Sequence, residues 1–202
     1  MPLSLNRIII NFLQSLEAIF IPNRLLDYGY NNTTALSVYG ILTGMSLPLI
    51  LFPSAITNSI CVLLLPIVSE ADAAENTGTI KKAVHKSICY GFFLGIIFTA
   101  FFLLTGRFLG NLLYQSTLAG SFIIVLSFLC PLMYIASTLG SILNGLGKTS
   151  LTFVFSMASL LVRLGFVFWG IPLWGIHGYL WGLLVSQAVQ TILCMFAVRK
   201  YR

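Results

Sequence analysis

Residues 34–68 read TALSVYGILTGMSLPLILFPSAITNSICVLLLPIV, 35 residues without one Asp, Glu, Lys, Arg or His. As a helix this run would rise about 50 Å. A hydrocarbon core about 30 Å thick takes about 20 apolar residues per crossing. Pro48 and Pro53 fall where the run would have to divide into two crossings, but residues 50–52 are too short to link two full spans. The expectation is one long helix, kinked near these prolines because each removes a backbone donor. It projects beyond the bilayer toward Glu70 and Asp72.

Working outward, five further apolar segments fill the chain, at about 5–22, 80–104, 119–143, 151–170 and 178–198. Hydrophobic residues make up 58% of the sequence and charged residues 8%. A water-soluble domain of 202 residues needs far more charge to cover its surface. The sequence therefore predicts an all-α, polytopic membrane bundle of six transmembrane helices, a single transmembrane domain over 1–202. Residues 107–111 and 113–118 are read as a short interfacial helix. Gly and Pro punctuate the joints at Tyr28-Gly29, 145–148 and 170–175.

The formal charge is +6, and its placement argues topology rather than nucleic-acid binding. With six crossings, Arg7, Lys81, Lys82, Lys86, Lys148, Arg199, Lys200 and Arg202 share one side, and Arg24 and Arg107 the other. Eight against two places the first side, with the C-terminus, in the cytoplasm. Splitting 34–68 in two exchanges only Arg7 and Arg24, so helix length decides the crossing number. No surface of mixed aromatic and basic residues suits nucleic acid. Lys81, Lys82, Lys86 and His85 serve as an inside anchor or lie along anionic lipid headgroups. No cleavable signal peptide is expected: residues 1–5 lack a basic region, and Asn11, Gln14 and Glu17 interrupt the first apolar segment.

Two ionisable residues lie deep in predicted spans, Glu17 and Arg163. Charges at such depth are costly and face a bundle interior or a water-filled cavity. They pair with each other, or each faces a polar ligand. Arg7, Asn11 and Gln14 form one helical stripe with Glu17 at its edge, and Thr152, Ser156, Ser159 and Arg163 form another. Arg7, Asn11, Gln14, Glu17, Ser156, Ser159 and Arg163 are thus the candidates for lining a substrate cavity, although Ser and Thr also serve as glue between helices. Gly40 and Gly44, Gly91 and Gly95, and Gly178, Gly182 and Ser186 have the spacing of close helix contacts. Cys61, Cys89, Cys130 and Cys194 read as small buried hydrophobes, so neither a disulfide nor a metal or other cofactor is expected. HExxH, GxSxG, a phosphate loop and paired intramembrane carboxylates are all missing, which argues against an enzyme.

Four stretches carry a family resemblance. Residues 6–24 read NRIIINFLQSLEAIFIPNR, 47–71 LPLILFPSAITNSICVLLLPIVSEA, 141–149 SILNGLGKT, and 175–182 GIHGYLWG. In this order they resemble the C-terminal half of the stage V sporulation protein B type of polysaccharide exporter. That group belongs to the multidrug/oligosaccharidyl-lipid/polysaccharide flippase superfamily. The resemblance implies two six-helix lobes related by a pseudo-twofold axis, forming a V around a central cavity and working by alternating access. It implies that this chain is the C-terminal lobe and that the N-terminal lobe is absent from it. That lobe would come from the same gene, a split gene or a second copy of the chain. The implied substrate is a lipid-linked saccharide or peptidoglycan precursor, for spore cortex or cell-envelope synthesis in a bacterial cell membrane. The related lipid II flippases carry a basic residue near the start of the corresponding second helix. Residues 37–40 read SVYG here, so that contact is not carried over. Two alternatives stand beside the flippase: half of a cation-coupled multidrug antiporter using Glu17, and a non-transporting membrane scaffold or remnant.

Overall fold

The computed structural model describes residues 3–200, with side chains from Ile8 to Lys200. Eight helices account for nearly all of them: α1 (Leu3–Asp27), α2 (Asn32–Leu51), α3 (Ser54–Ala73), α4 (Thr77–Tyr114), α5 (Thr117–Leu126), α6 (Leu129–Gly145), α7 (Thr149–Trp174) and α8 (Ile176–Lys200). Each of α2, α3, α4, α7 and α8 is long and apolar enough to cross a membrane, and α5 with α6 qualify together. The chain is a multi-pass membrane protein. Its outward side chains are apolar around the bundle, with Phe52, Leu104 and Trp169 among the most exposed. Lipid, unlike water, imposes no cost on that surface.

Side chains bonding to neighbouring backbone decide how many times the chain crosses. Ser46 Oγ donates to the Ala119 carbonyl, Ser141 Oγ to that of Cys61, and Ser69 Oγ to that of Gly145. As α2 and α3 advance from 46 to 69, their partners advance from 119 to 145. The two helices therefore run in one direction along α5 and α6 and make a single crossing. The break at Phe52-Pro53 is a kink, since both residues keep right-handed helical dihedrals. Pro53 has no N–H to give to the carbonyl four residues back, and beyond it the Ala55 N–H donates to the Phe52 carbonyl while Ser54 Oγ donates to that of Leu51 at 2.6 Å. The long, kinked second helix expected from the sequence is present, running from Asn32 to Ala73.

Helix α4 differs from expectation. It continues without a break to Tyr114, 38 residues, so of the interfacial helix expected over 107–111 and 113–118, residues 107–114 belong to α4 and 117–118 open α5. The reason is its fit to the bent rod of α5 and α6, which meet at 48°. At Gly95 an added Cβ would overlap Pro131, and at Gly110 it would overlap Gly120. Between them Thr99 Oγ1 donates to the Ser127 carbonyl at the bend, at 2.9 Å. The pairing holds α4 helical along the whole rod until Gln115 takes the left-handed conformation (φ 48°). Gly40 and Gly44 also depart from expectation: among the described residues nothing lies within 4 Å of a Cβ at either, so they support no helix contact there.

Two apolar cores divide the bundle along its length. One joins Ile21, Leu25, Leu42, Ile123, Ile171 and Leu180 near the 28–31, 115–116 and 175 turns. The other joins Val68, Ile80, Ile142, Leu143 and Val198 near the 74–76 and 146–148 turns. Lys81, Lys82, Lys86, Lys148, Arg199 and Lys200 lie at the second end, and Arg24 and Arg107 toward the first. Because α1 begins at the lysine-rich end and α8 finishes there, the order is six crossings. α1 is too polar to qualify as a span by hydropathy, and its acid is turned inward.

Candidate functional site

Helix α1 leaves Ile8, Phe12 and Ile19 exposed and buries Glu17, Ile21 and Leu25, which recur every fourth residue on one face. Glu17 is 4% exposed. Arg163, in the last α-helical turn before the π-helical part of α7, places Nη2 2.6 Å from Glu17 Oε2. Tyr179 on α8 donates its hydroxyl to the other carboxylate oxygen, Oε1, at 2.9 Å. Three helices thus meet at one carboxylate. The turn after Arg163 widens to a π-helix over Phe166–Gly170. There Gly170 and Gly178 touch backbone to backbone, bringing α8 close to α7. Arg163 Nε is buried without a partner among the described residues.

The arrangement decides what Arg163 can do. A guanidinium already paired with a buried carboxylate, though its own side chain is 24% exposed, offers little net charge to a second anion. Removing one member of a buried pair costs about 3–5 kcal/mol, because the other is left uncompensated. In this state the pair is a neutral link between α1, α7 and α8.

Toward the lysine-rich end the bundle opens into a cleft of about 660 Å³ between α1, α3, α6, α7 and α8. Its polar lining includes Asn58, Ser137, Asn144, Thr152, Ser156 and Gln190, and no Asp, Glu, Lys, Arg or His lines it among the described residues. Gln190 Nε2 donates to Ser156 Oγ at 3.5 Å, and Thr152 Oγ1 lies 2.9 Å from Asn144 Oδ1. Ser156 is seven residues before Arg163, about 10 Å along the helix.

The expected stripes therefore split. Of the α7 stripe, Thr152 and Ser156 face the cleft and Arg163 enters the ion pair. Ser159 donates to the Ser186 carbonyl at 2.9 Å and acts as glue between α7 and α8. Asn11 and Gln14 are exposed on α1. Neither side chain has a hydrogen bond among the described residues, and Ile10 is what α1 adds to the cleft lining. The side chain of Arg7 lies outside the described residues. Sequence reasoning missed Tyr179, which lies at the start of the sixth apolar segment and enters there only through the family resemblance, and the amides of Asn58, Asn144 and Gln190. Amides within or at the end of apolar spans were the available signal. Among the described residues no group of three His, Cys, Asp or Glu side chains gathers as a metal site.

Six crossings, a three-helix polar link at Glu17 and a cleft in which amides and hydroxyls stand among apolar side chains, without charge among the described residues, define a multi-pass helical membrane protein. The family model described as MatE matches residues 2–169, and the chain belongs to that family. The chain is 26% identical over 202 residues to stage V sporulation protein B of Bacillus subtilis (strain 168), covering 99% of this chain and 39% of that protein. It is 31% identical over 74 residues to sporulation protein YkvU of the same organism, covering 37% of this chain and 17% of that one. The chain thus spans about two fifths or less of the length of the curated relatives it matches. No solved structure matches significantly.

Proposed function

We propose that this chain is one lobe of a flippase that carries lipid-linked oligosaccharide, polysaccharide or peptidoglycan precursors across a bacterial cell membrane by alternating access, for spore cortex or cell-envelope synthesis. The observation that carries the reading is the cleft: amide and hydroxyl groups set among apolar side chains, without charge among the described residues, cut into a bundle whose exterior is apolar. Such a surface suits the hydroxyls of a sugar, which both donate and accept hydrogen bonds. Membership of the MatE family and the likeness to stage V sporulation protein B support a transporter rather than a catalyst.

In this reading the saccharide occupies the cleft of this lobe, and a second six-helix lobe closes the other side. The second lobe is the remainder of the same protein, the product of a split gene, or another copy. The lysine-rich end and the C-terminus face the cytoplasm, in keeping with the excess of basic residues there. The substrate's pyrophosphate meets Arg163 only when Glu17 lets go, so its charge is handled elsewhere in the resting state. An antiporter coupled through Glu17 is less well supported, since that carboxylate is already satisfied by Arg163 and Tyr179.

The test is translocation of a fluorescent lipid-linked oligosaccharide in liposomes holding the complete two-lobe assembly. Replacing Asn58 and Gln190 together by Leu removes two polar lining groups and is expected to slow flipping at least about tenfold while leaving membrane insertion intact. Unchanged flipping by that variant would remove the cleft from the substrate path.

A further inference from the structure

A second cavity, of about 360 Å³, lies on the outside of the bundle between α3 and α4. Its walls are Ile60, Leu64 and Ile67 on α3 and Tyr90 and Leu94 on α4, with Thr138 of α6 at the bottom. The floor is set deep because Gly91 lies directly against Ile135, where a Cβ would come within 3.1 Å. Two of the hydroxyls lining the groove are turned to backbone: Thr57 Oγ1 donates to the Ser54 carbonyl at 2.8 Å, and Thr138 Oγ1 lies 3.0 Å from that of Tyr134. With Ile60, Leu64, Ile67, Ala83 and Leu94 around them, the trough is mostly apolar, and Thr79, Ser87 and Tyr90 add the other hydroxyls.

Lys82 and Lys86 line the end of that trough nearest the 74–76 turn. They are one helical turn apart on the same face of α4. Neither makes an ion pair among the described residues, where the pairs are Arg24–Asp27 and Glu17–Arg163. Glu70, Asp72 and Glu75 share that end of the bundle without coming within ion-pair distance of either lysine. From Lys82 to Leu94 the trough follows twelve residues of α4, about 18 Å. One leaflet of a hydrocarbon core is about 15 Å deep. A cationic rim at the headgroup level, continued by a mostly apolar groove as deep as one leaflet, matches a lipid better than a free anion, which would use the rim alone.

We propose that the α3–α4 groove is a specific site for one anionic phospholipid, its phosphate held by Lys82 and Lys86 and one acyl chain lying along Ile60, Leu64 and Leu94. The site lies on the membrane-facing side of the bundle, apart from the polar cleft, and is independent of the transport reading. Basic pockets between membrane helices recognise anionic headgroups by this combination.

Native mass spectrometry of the purified protein, titrated with phosphatidylglycerol or phosphatidylcholine, tests it. Wild-type protein is expected to retain one phosphatidylglycerol after the others are stripped, and to hold phosphatidylcholine at least about tenfold more weakly. K82Q/K86Q should lose that preference, whereas K81Q, on the neighbouring face, should keep it. I60W, which fills the groove and leaves both lysines, should lower binding of both lipids. Equal retention of the two lipids by wild type would overturn the proposal. So would equal weakening by K81Q and K82Q/K86Q, the mark of a diffuse basic surface, or unchanged binding by I60W.

Discussion

Glu17 carries the largest single electrostatic commitment in the described bundle. Both of its carboxylate oxygens are taken, one by Arg163 and one by Tyr179, and it is almost completely buried. Truncating Arg163 to Ala leaves a buried carboxylate with one partner, and a loss of about 3–5 kcal/mol of stability is expected. Replacing both members, in E17Q/R163Q, removes the charge from each side and should cost far less than the two single changes added together. Thermal unfolding of wild type, E17Q, R163Q and E17Q/R163Q in detergent measures the coupling; additive losses would contradict the pairing. Y179F deletes one donor to a charged acceptor, and about 1–3 kcal/mol is expected on the same assay. That Glu17 and Arg163 need partners was legible in the sequence, because ionisable groups deep in a span are costly. That the third partner is a tyrosine was not, since Tyr179 stands 162 residues from Glu17 and no local spacing links them.

Among the helices, α4 owes its length to small residues. Gly95 and Gly110 let it lie against Pro131 and Gly120, so G95L or G110L would push α4 off the α5–α6 rod. Each is expected to destabilise by several kcal/mol, as overpacking of a close contact does, and to speed proteolysis of the 115–116 connection in membranes. G40L meets open space and should leave stability unchanged, which makes it the control. The sequence showed glycines at one spacing in three helices; which pairs face a neighbour depends on how each helix is rotated. The interfacial helix expected over 107–111 and 113–118 failed for the same reason: local polarity suggested an end, and packing against α5 carried the helix through.

For the molecule as a whole, the consequence of α2 and α3 forming one crossing is topological. Asn32 and Glu75 flank the kinked helix. Single cysteines placed at these positions in a cysteine-free background should react with a membrane-impermeant thiol reagent from opposite sides of the membrane. Labelling of both from one side would mean that Phe52-Pro53 reverses the chain. The same assay at residue 200 reports the side of the C-terminus, expected to be cytoplasmic. The exposed Gly40–Gly44 face of α2 finds no partner among the described residues.

Composition and periodicity were enough to determine that this is a helical membrane protein, where its spans fall, and that Glu17 and Arg163 are the groups needing an interior. Those properties are additive along the chain: transfer of apolar residues to lipid and the cost of a buried charge are local quantities. Tertiary structure decided the rest. It turned Ser159 into glue and left Ser156 on a cleft, although both lie on one stripe of α7. It assembled that cleft from Asn58, Asn144 and Gln190 on three other helices. It joined Lys82 and Lys86 to a groove whose opposite wall belongs to α3. Helix rotation and register are set by how surfaces fit across the bundle, and no stretch of one helix contains that information.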